Sequence, residues 1–261
     1  MDLRAVAEEA ARAGGAIVRR YFGRSVVFER KVDNTLVSIV DRESEEAIRT
    51  IIKRNFPTHA INGEEGGRTG DAGTVWHVDP LDGTTNFSHR IPLCAVSIGV
   101  ESDGAFIIGV IYDPFRDELF SAQLGAGATC NGVPIRVSGS SLRGGVSVLD
   151  ASFKGDRAIR KGRYLSALLA LGAKPQMIGS NALQLAEVAC GRCVSSLSDA
   201  VHAYDFAAGI VLVREAGGVI SDQDGTGPTS DSVCVIAAND ATAHSALLEI
   251  VKREYAGYRG M

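Results

Sequence analysis

The sequence predicts an α/β protein of the α+β kind, with helices on an antiparallel sheet in its first half and a layered α/β unit in its second. Three observations predict this. Apolar residues recur at steps of three and four over residues 3–21, at Val6, Ala10, Ala13, Ile17 and Tyr21. Strand-like runs separated by turn residues follow from Val75 onward. Beyond residue 145, strand-like and helix-like stretches alternate.

Each element follows in order. Residues 3–21 form an amphipathic helix. Residues 26–40 read as two short extended runs around Asp33-Asn34, a turn-forming pair. A second helix is expected over residues 41–55, with Ala47, Ile48, Ile51 and Ile52 apolar and Pro57 just past its end. The apolar run 75–78 is stopped by Asp79-Pro80. Residues 94–100 and 105–112 flank Glu101-Ser102-Asp103-Gly104, a hairpin loop. Residues 118–123 add a strand, and Asn131-Gly132 gives a tight turn. In the second half, a strand at 146–149 precedes a helix near 157–171, and a strand at 176–178 precedes a helix at 181–190. A helix at 205–216, strands at 218–221 and 232–237, and a helix at 241–254 complete the chain. The switch falls in the Ser- and Gly-rich stretch 138–145. It separates an N-terminal α+β half, 1–140, from a C-terminal α/β half, 141–261, inside one compact molecule.

With 261 residues the chain can bury a large core. Apolar residues make up 45% and charged residues 22%, which argues against disorder over most of its length. A net charge of −4 gives no footprint for nucleic acid or a membrane surface. The start, Met1-Asp2-Leu3-Arg4, lacks the apolar stretch of a targeting signal, and no run approaches the roughly 18 apolar residues of a membrane helix. Five cysteines, an odd number, argue against a disulfide framework, so a cytoplasmic protein is expected. Cys190 and Cys193 form a Cys-x-x-Cys pair with no second pair beside it. They read as ordinary half-buried cysteines.

Three acidic clusters carry the chemistry. They are Asn62-Gly63-Glu64-Glu65-Gly66-Gly67, Asp79-Pro80-Leu81-Asp82-Gly83-Thr84-Thr85-Asn86, and Asp205 at the head of Asp205-Phe206-Ala207-Ala208-Gly209. In the second, Pro80 breaks an apolar run between two aspartates, so a tight turn can aim both carboxylates at one point. Hard cations such as Mg²⁺ take such oxygen ligands. Gly83-Thr84 lies where a helix can begin, with backbone N–H groups unspent for an anion. Cation and phosphate sites would then be neighbours. Taken singly, Asp-Pro and Asp-Gly are common turn dipeptides; a plain turn, however, needs none of Thr84, Thr85 and Asn86.

The residues 63–65, 76–87, 205–209 and 215–218 resemble the inositol monophosphatase family of lithium-sensitive phosphatases, in order and spacing over nearly the whole chain. Leu36-Val37-Ser38 with Asp41, Tyr112-Asp113-Pro114, Glu118-Leu119-Phe120 and Asn131-Gly132 fit the same pattern. The resemblance implies a five-layered αβαβα sandwich of the inositol monophosphatase and fructose-1,6-bisphosphatase type, a homodimer, and hydrolysis of a small phosphorylated metabolite with two or three Mg²⁺ per site. It implies that Glu64, Asp79 and the Leu81 carbonyl hold one Mg²⁺, that Asp79, Asp82 and Asp205 hold a second, and that Glu65 supports a weaker third. Glu64 and Thr84 would position the attacking water, Asp41 would orient Thr84, and the amides of Gly83 and Thr84 would bind phosphate. Gly179-Ser180-Asn181 would lie near the leaving alcohol.

The sequence departs from that pattern at Ser198, seven residues before Asp205, where members acting on inositol phosphate carry a sugar-contacting glutamate, and at Tyr204, which replaces a tryptophan. Myo-inositol 1-phosphate is therefore not expected to be clearly preferred. Arg192 or His202 is considered as a contact to a second anionic group. The alternatives on the same fold are a fructose-1,6-bisphosphatase, a histidinol-phosphatase, or an NADP or nucleotide phosphatase. Of a different class is a non-catalytic regulatory binding protein. Such a protein is expected to have lost one of Glu64, Asp79, Asp82, Thr84 and Asp205, and all five are present.

Overall fold

The computed structural model describes residues 2–30, 36–150, 155–199 and 201–256. The chain opens with α1 (Leu3–Tyr21), whose N-terminus is capped by the Asp2 carboxylate accepting from Arg4 N. The short antiparallel pair β1 (Phe28–Arg30) and β2 (Leu36–Ser38) leads into α2 (Ile39–Asn55). The expected turn at Asp33-Asn34 lies outside the described residues. α2 begins two residues earlier than its apolar pattern suggests. Ser38 and Asp41 form a capping box there, which satisfies N–H groups at the helix start.

The first sheet follows: β3 (Ala60–Gly63), β4 (Gly67–Thr69), β5 (Thr74–Asp82), the five-residue helix α3 (Thr84–Ser88), β6 (Ala95–Ser102), β7 (Ala105–Asp113), β8 (Glu118–Gln123), β9 (Gly127–Cys130) and β10 (Val133–Pro134). Its eight strands run in the order β10-β9-β8-β7-β6-β5-β3-β4. All pairs are antiparallel except β3 with β5. Asn131 and Gly132, both at positive φ, make the tight β9–β10 turn.

The chain then builds β11 (Val146–Leu149), α4 (Gly155–Ala170), β12 (Lys174–Gln176), α5 (Asn181–Ala189), β13 (Ser195–Asp199), α6 (Ala203–Glu215), β14 (Val219–Ser221), β15 (Cys234–Ala238) and α7 (Ala241–Ala256). The second sheet has the order β12-β11-β13-β15-β14. β11 runs parallel to β12 and β13, and β15 runs antiparallel to β13 and β14. The strand expected at 176–178 is displaced to 174–176. β13 has no counterpart in the sequence reading.

Three apolar cores hold five layers together. α1 and α2 cover one face of the first sheet, burying Trp76, Val78, Ile98 and Ile48. α5 and α6 fill the space between the two sheets. α4 and α7 cover the far face of the second sheet, around Tyr164, Leu168, Ile236 and Leu247. The architecture is the expected αβαβα sandwich. Each large side chain fully buried in these cores is worth roughly 1.5–3 kcal/mol.

α6 approaches the first sheet closely because Gly99 on β6 and Gly109 on β7 face each other across the strand pair. A Cβ on Gly99 would stand 2.4 Å from Ala207 Cβ, and one on Gly109 would stand 2.1 Å from the Ala208 carbonyl oxygen. Two glycines thus cut the notch that seats Ala207-Ala208, two residues beyond Asp205. Gly109→Ala is expected to push backbone from backbone and cost about 1–3 kcal/mol. A melt should show Tm lower by about 2–10 °C; an unchanged Tm would refute the notch.

Candidate active site

Asp79 and Asp82 stand at the exit of β5. Three residues apart on a regular strand, they would point to opposite faces. Against β6, however, Asp79 pairs with Ser97 while Asp82 pairs with Ala95, so β5 carries one extra residue there. This bulge accommodates Pro80 and brings both carboxylates into one neighbourhood. Asp79 Oδ1 accepts from Leu81 N at 3.0 Å. Asp82 Oδ2 accepts from Ser180 Oγ at 2.5 Å and from Ala182 N at 2.6 Å.

The chain then turns sharply. Gly83 has φ 96°, and a Cβ there would stand 2.7 Å from the Leu93 carbonyl oxygen. Glycine is therefore required by both backbone angle and space. Thr84 opens α3, so the first N–H groups of this turn have no partner within the helix. Thr84 Oγ1 lies 3.0 Å from the Leu81 carbonyl and 3.3 Å from Asp41 Oδ1, between two acceptors. Asp41 is fully buried, and its Oδ2 accepts from Ser38 N at 2.8 Å and Ser38 Oγ at 2.7 Å.

Glu64 sits in the turn between β3 and β4, and its N–H donates to the Val78 carbonyl at 3.0 Å. Asp205 lies in the first turn of α6, where its Oδ2 accepts from His202 N at 2.7 Å. Four carboxylates from three chain segments, Glu64, Asp79 with Asp82, and Asp205, thereby share one electrostatic environment. Burial pushes the Asp79 carboxyl well above the usual range, and the charges of Glu64, Asp82 and Asp205 push it further. Burial and then Asp82 do the same to Asp205, opposed by the His202 N–H. Asp82 is pushed up to about 6 by burial, a rise restrained by the Ser180 and Ala182 donors. Asp41 is raised by burial and moderated by Ser38.

Among the described residues no three such side chains are drawn into a closed metal cage. The donor set nonetheless fits a hard cation. It is all oxygen, it is rich in negative charge, and its members repel each other without a counter-charge. A cavity of 570 Å³ borders Glu64 and Glu65, between the β1–β2 pair and α2; Arg30, Arg42 and Arg49 line it. Of the acidic centre, Glu64 is among its described lining residues, and Asp79, Asp82 and Asp205 are not.

Other expected contacts fall out differently. Gly179-Ser180-Asn181 borders the centre: Ser180 caps α5 and holds Asp82, while the Gly179 carbonyl accepts from Asn86 Nδ2 at 3.3 Å. Ser198, which the resemblance placed among the substrate contacts as a short side chain leaving room for a bulkier or anionic substituent, is a correction. It lies inside β13 opposite Val235, 1% exposed, with a hydroxyl that has no hydrogen-bond partner. It offers a substrate no surface, so its size cannot widen the site. Ser198→Glu should bury an unpaired carboxylate, and a melt should show a loss of several kcal/mol; a stable variant with changed substrate preference would reverse this correction. Arg192, considered as a contact to a second anionic group, is paired within the protein. Its guanidinium pairs bidentately with Glu118, and it also meets Glu187 at 3.5 Å, so it is committed to protein carboxylates. His202 stays exposed beside the centre, its ring 5.2 Å from that of Tyr204. Burial pushes Cys190 up to about 11 and Cys193 up to about 12, which leaves both as protonated thiols near neutral pH.

The sequence reading missed Ser44, whose hydroxyl donates to the Pro80 carbonyl at 2.9 Å, and Glu45, which accepts from Glu65 N and Gly66 N. Both look like ordinary polar residues of a helix surface. Their spacing from Asp41, three and four residues, was the available signal.

The model of the inositol monophosphatase family matches residues 2–255. An inositol-1-monophosphatase of Synechocystis sp. is 39% identical over 248 residues, covering 93% of this chain and 86% of that protein. A Nus factor SuhB of Xylella fastidiosa is 37% identical, covering 95% and 94%. Among solved structures, the extragenic suppressor protein suhB from Bartonella henselae superposes with TM-score 0.90 at 34% identity, over 95% of this chain and 97% of that one. The Thermotoga maritima IMPase gives TM-score 0.90 at 28% identity, over 98% and 99%. The chain belongs to the inositol monophosphatase family. No helix among its described residues is long and apolar enough to cross a membrane.

Proposed function

We propose that the protein is a Mg²⁺-dependent phosphatase that hydrolyses a small phosphate monoester. The observation that carries the reading is the convergence of Glu64, Asp79, Asp82 and Asp205 beside the Asp41–Thr84 couple. Glu64, Asp79 and the Leu81 carbonyl would hold one Mg²⁺, and Asp79, Asp82 and Asp205 a second, with Glu65 near a weaker third. The Leu81 carbonyl has a second lone pair beyond the one facing Thr84. Bound Mg²⁺ supplies positive charge that acidifies water and offsets charge on the leaving oxygen.

This chain's residues supply the rest. Asp41, accepting from Thr84 Oγ1, turns the hydroxyl lone pairs away from itself and towards a water. Glu64 accepts a hydrogen bond from the same water and fixes its direction of attack. Amides of Gly83 and Thr84 donate to the phosphate oxygens, and Gly179-Ser180-Asn181 borders the leaving alcohol. The Ser180 and Ala182 donors hold Asp82 Oδ2 in place.

The substrate class is sugar or polyol monophosphates, inositol 1-phosphate among them. With Ser198 buried and Arg192 paired, neither residue argues for or against that substrate. Comparing kcat/KM over inositol 1-phosphate, fructose 1,6-bisphosphate, histidinol phosphate and NADP ranks the candidates. Li⁺ is expected to inhibit, and a homodimer is the expected assembly.

Relatives named Nus factor SuhB support a second reading, a role as a binding factor, which is compatible with catalysis. Retention of all five candidate residues favours catalysis. Phosphate release from none of these compounds, at saturating Mg²⁺, would leave only the binding role.

A further inference from the structure

We propose that Glu45, held by Arg49, is a positioning residue for Glu64: it grips the turn that carries Glu64 and so sets where that carboxylate stands in the acidic centre. The functional part of this inference rests on the phosphatase reading, while the grip itself is geometry. Glu45 is 3% exposed, although it lies on a helix otherwise rich in solvated charges. Its Oε2 accepts from Glu65 N at 2.7 Å. Its Oε1 accepts from Gly66 N at 2.8 Å and from Arg49 Nε at 2.6 Å. Arg49 in turn donates to the Gly67 carbonyl at 2.6 Å and to Thr69 Oγ1 at 3.0 Å. α2 therefore holds residues 65, 66, 67 and 69 through charge-assisted bonds, which are shorter and stronger than neutral ones.

The glycines around Glu64 follow from this grip. A Cβ on Gly63 would stand 2.6 Å from both Cδ and Oε1 of Glu45, and one on Gly66 would stand 2.6 Å from Oε1. Any side chain at either position would lift the carboxylate off the turn. On its other side, Glu64 N is bonded to the Val78 carbonyl of β5. Residue 64 is thus fixed between the strand that delivers Asp79 and the helix that delivers Glu45.

The same face of α2 holds the other parts of the centre. Asp41 bonds Thr84, Ser44 bonds the Pro80 carbonyl, and Glu45 bonds the Glu64 turn. Residues 41, 44 and 45 lie within one helical turn of each other. α2 is therefore a common rail for three chain segments that are distant in sequence. Releasing Glu45 frees the Glu64 turn alone and leaves Asp41 and Ser44 in place.

Glu45→Gln in the full-length chain keeps the side-chain volume, but the amide nitrogen cannot accept from an N–H. At least one bond to the turn or to Arg49 is lost, and a donor then faces a donor. Three quantities are measured: the far-UV circular dichroism spectrum, the Mg²⁺ concentration at half-maximal thermal shift without substrate, and kcat and KM for phosphate release. The spectrum should match wild type. The Mg²⁺ midpoint should rise about tenfold and kcat should fall about tenfold, the scale of one lost bond to a charged group. KM should stay within about twofold, because Glu45 touches neither Gly83 nor Thr84. Glu249→Gln, at an exposed position of α7 on the far face of the second sheet, should leave the Mg²⁺ midpoint unchanged. Should Glu45→Gln fail to fold, Gly66→Ala is read in the same way, since it pushes on Oε1 without removing charge. A variant that melts lower yet keeps the wild-type Mg²⁺ midpoint and kcat would overturn the proposal. A wild type that binds Mg²⁺ but releases no phosphate would sink the phosphatase reading, while the Mg²⁺ midpoints would still decide the grip.

Discussion

Asp82→Asn is expected to lower Mg²⁺-dependent phosphate release by about 10²–10³-fold while leaving the protein at least as stable as wild type. The two halves of this result come from one geometry. Asp82 is 7% exposed, and its Oδ2 accepts from Ser180 Oγ and Ala182 N. An asparagine carbonyl can accept both bonds, so the cap of α5 survives. What changes is charge. The carboxyl already carries a cost of ionisation, visible in its rise to about 6. Removing that charge spares the metal-free protein the cost and takes from the acidic centre one of its anionic oxygens. A melt without metal should show Tm equal to or above wild type, and a phosphate-release assay should show the loss. Activity near wild type at saturating Mg²⁺ would remove Asp82 from the centre.

The second large effect is a pH-dependent stabilisation by Mg²⁺. In the metal-free protein the Asp82 carboxyl titrates at about 6, against 3.8 when exposed, and Asp79 and Asp205 are raised further. Between those pH values the folded chain keeps a proton that the unfolded chain has released. The stability these carboxyls contribute is therefore fully present below about pH 4 and is lost as pH rises through 6. For Asp82 alone the loss is on the order of 3 kcal/mol. A bound cation reverses that loss because it favours the ionised form. At pH 5 it must first displace protons, whereas at pH 8 fewer stand in its way. Saturating Mg²⁺ should raise Tm by roughly 10 °C at pH 8 and by less than half of that at pH 5. Taking the difference with and without Mg²⁺ at each pH cancels the titration of groups elsewhere. Equal gains at both pH values would contradict the assignment of these carboxylates.

How much of this was legible in the sequence depended on whether a residue announced its own environment. Asp79-Pro80-Leu81-Asp82-Gly83 did so, because a proline between two aspartates and a following glycine permit few backbone paths. The strands of the first sheet were legible from their alternation, and the β9–β10 turn from Asn131-Gly132. β13 was not. Ser195, Ser196 and Ser198 look like loop residues, yet all five positions of that strand are buried between helical layers. Ser195 Oγ finds Ser147 Oγ at 2.8 Å and Ser196 Oγ finds Gln184 at 3.4 Å, contacts between segments that no local pattern reveals. The same blindness produced the misreading of Ser198. Counting back from Asp205 gave a position along the chain, whereas exposure depended on the sheet around it. Arg192 looked available because Glu118, its partner, is 74 residues away. Glu45 was hidden for the opposite reason, since charged residues on helices are usually solvated and only tertiary contact buried this one.

The central claim is that the shared acidic centre makes the protein a Mg²⁺-dependent phosphatase. Its most direct test is phosphate release from sugar and polyol monophosphates after exhaustive chelation, followed by titration of Mg²⁺ back into the same sample. The account predicts negligible release from the chelated protein and saturable recovery as Mg²⁺ is restored, with the Asp82→Asn variant failing to recover. Release that is equal with and without Mg²⁺, or that recovers equally in Asp82→Asn, would contradict it.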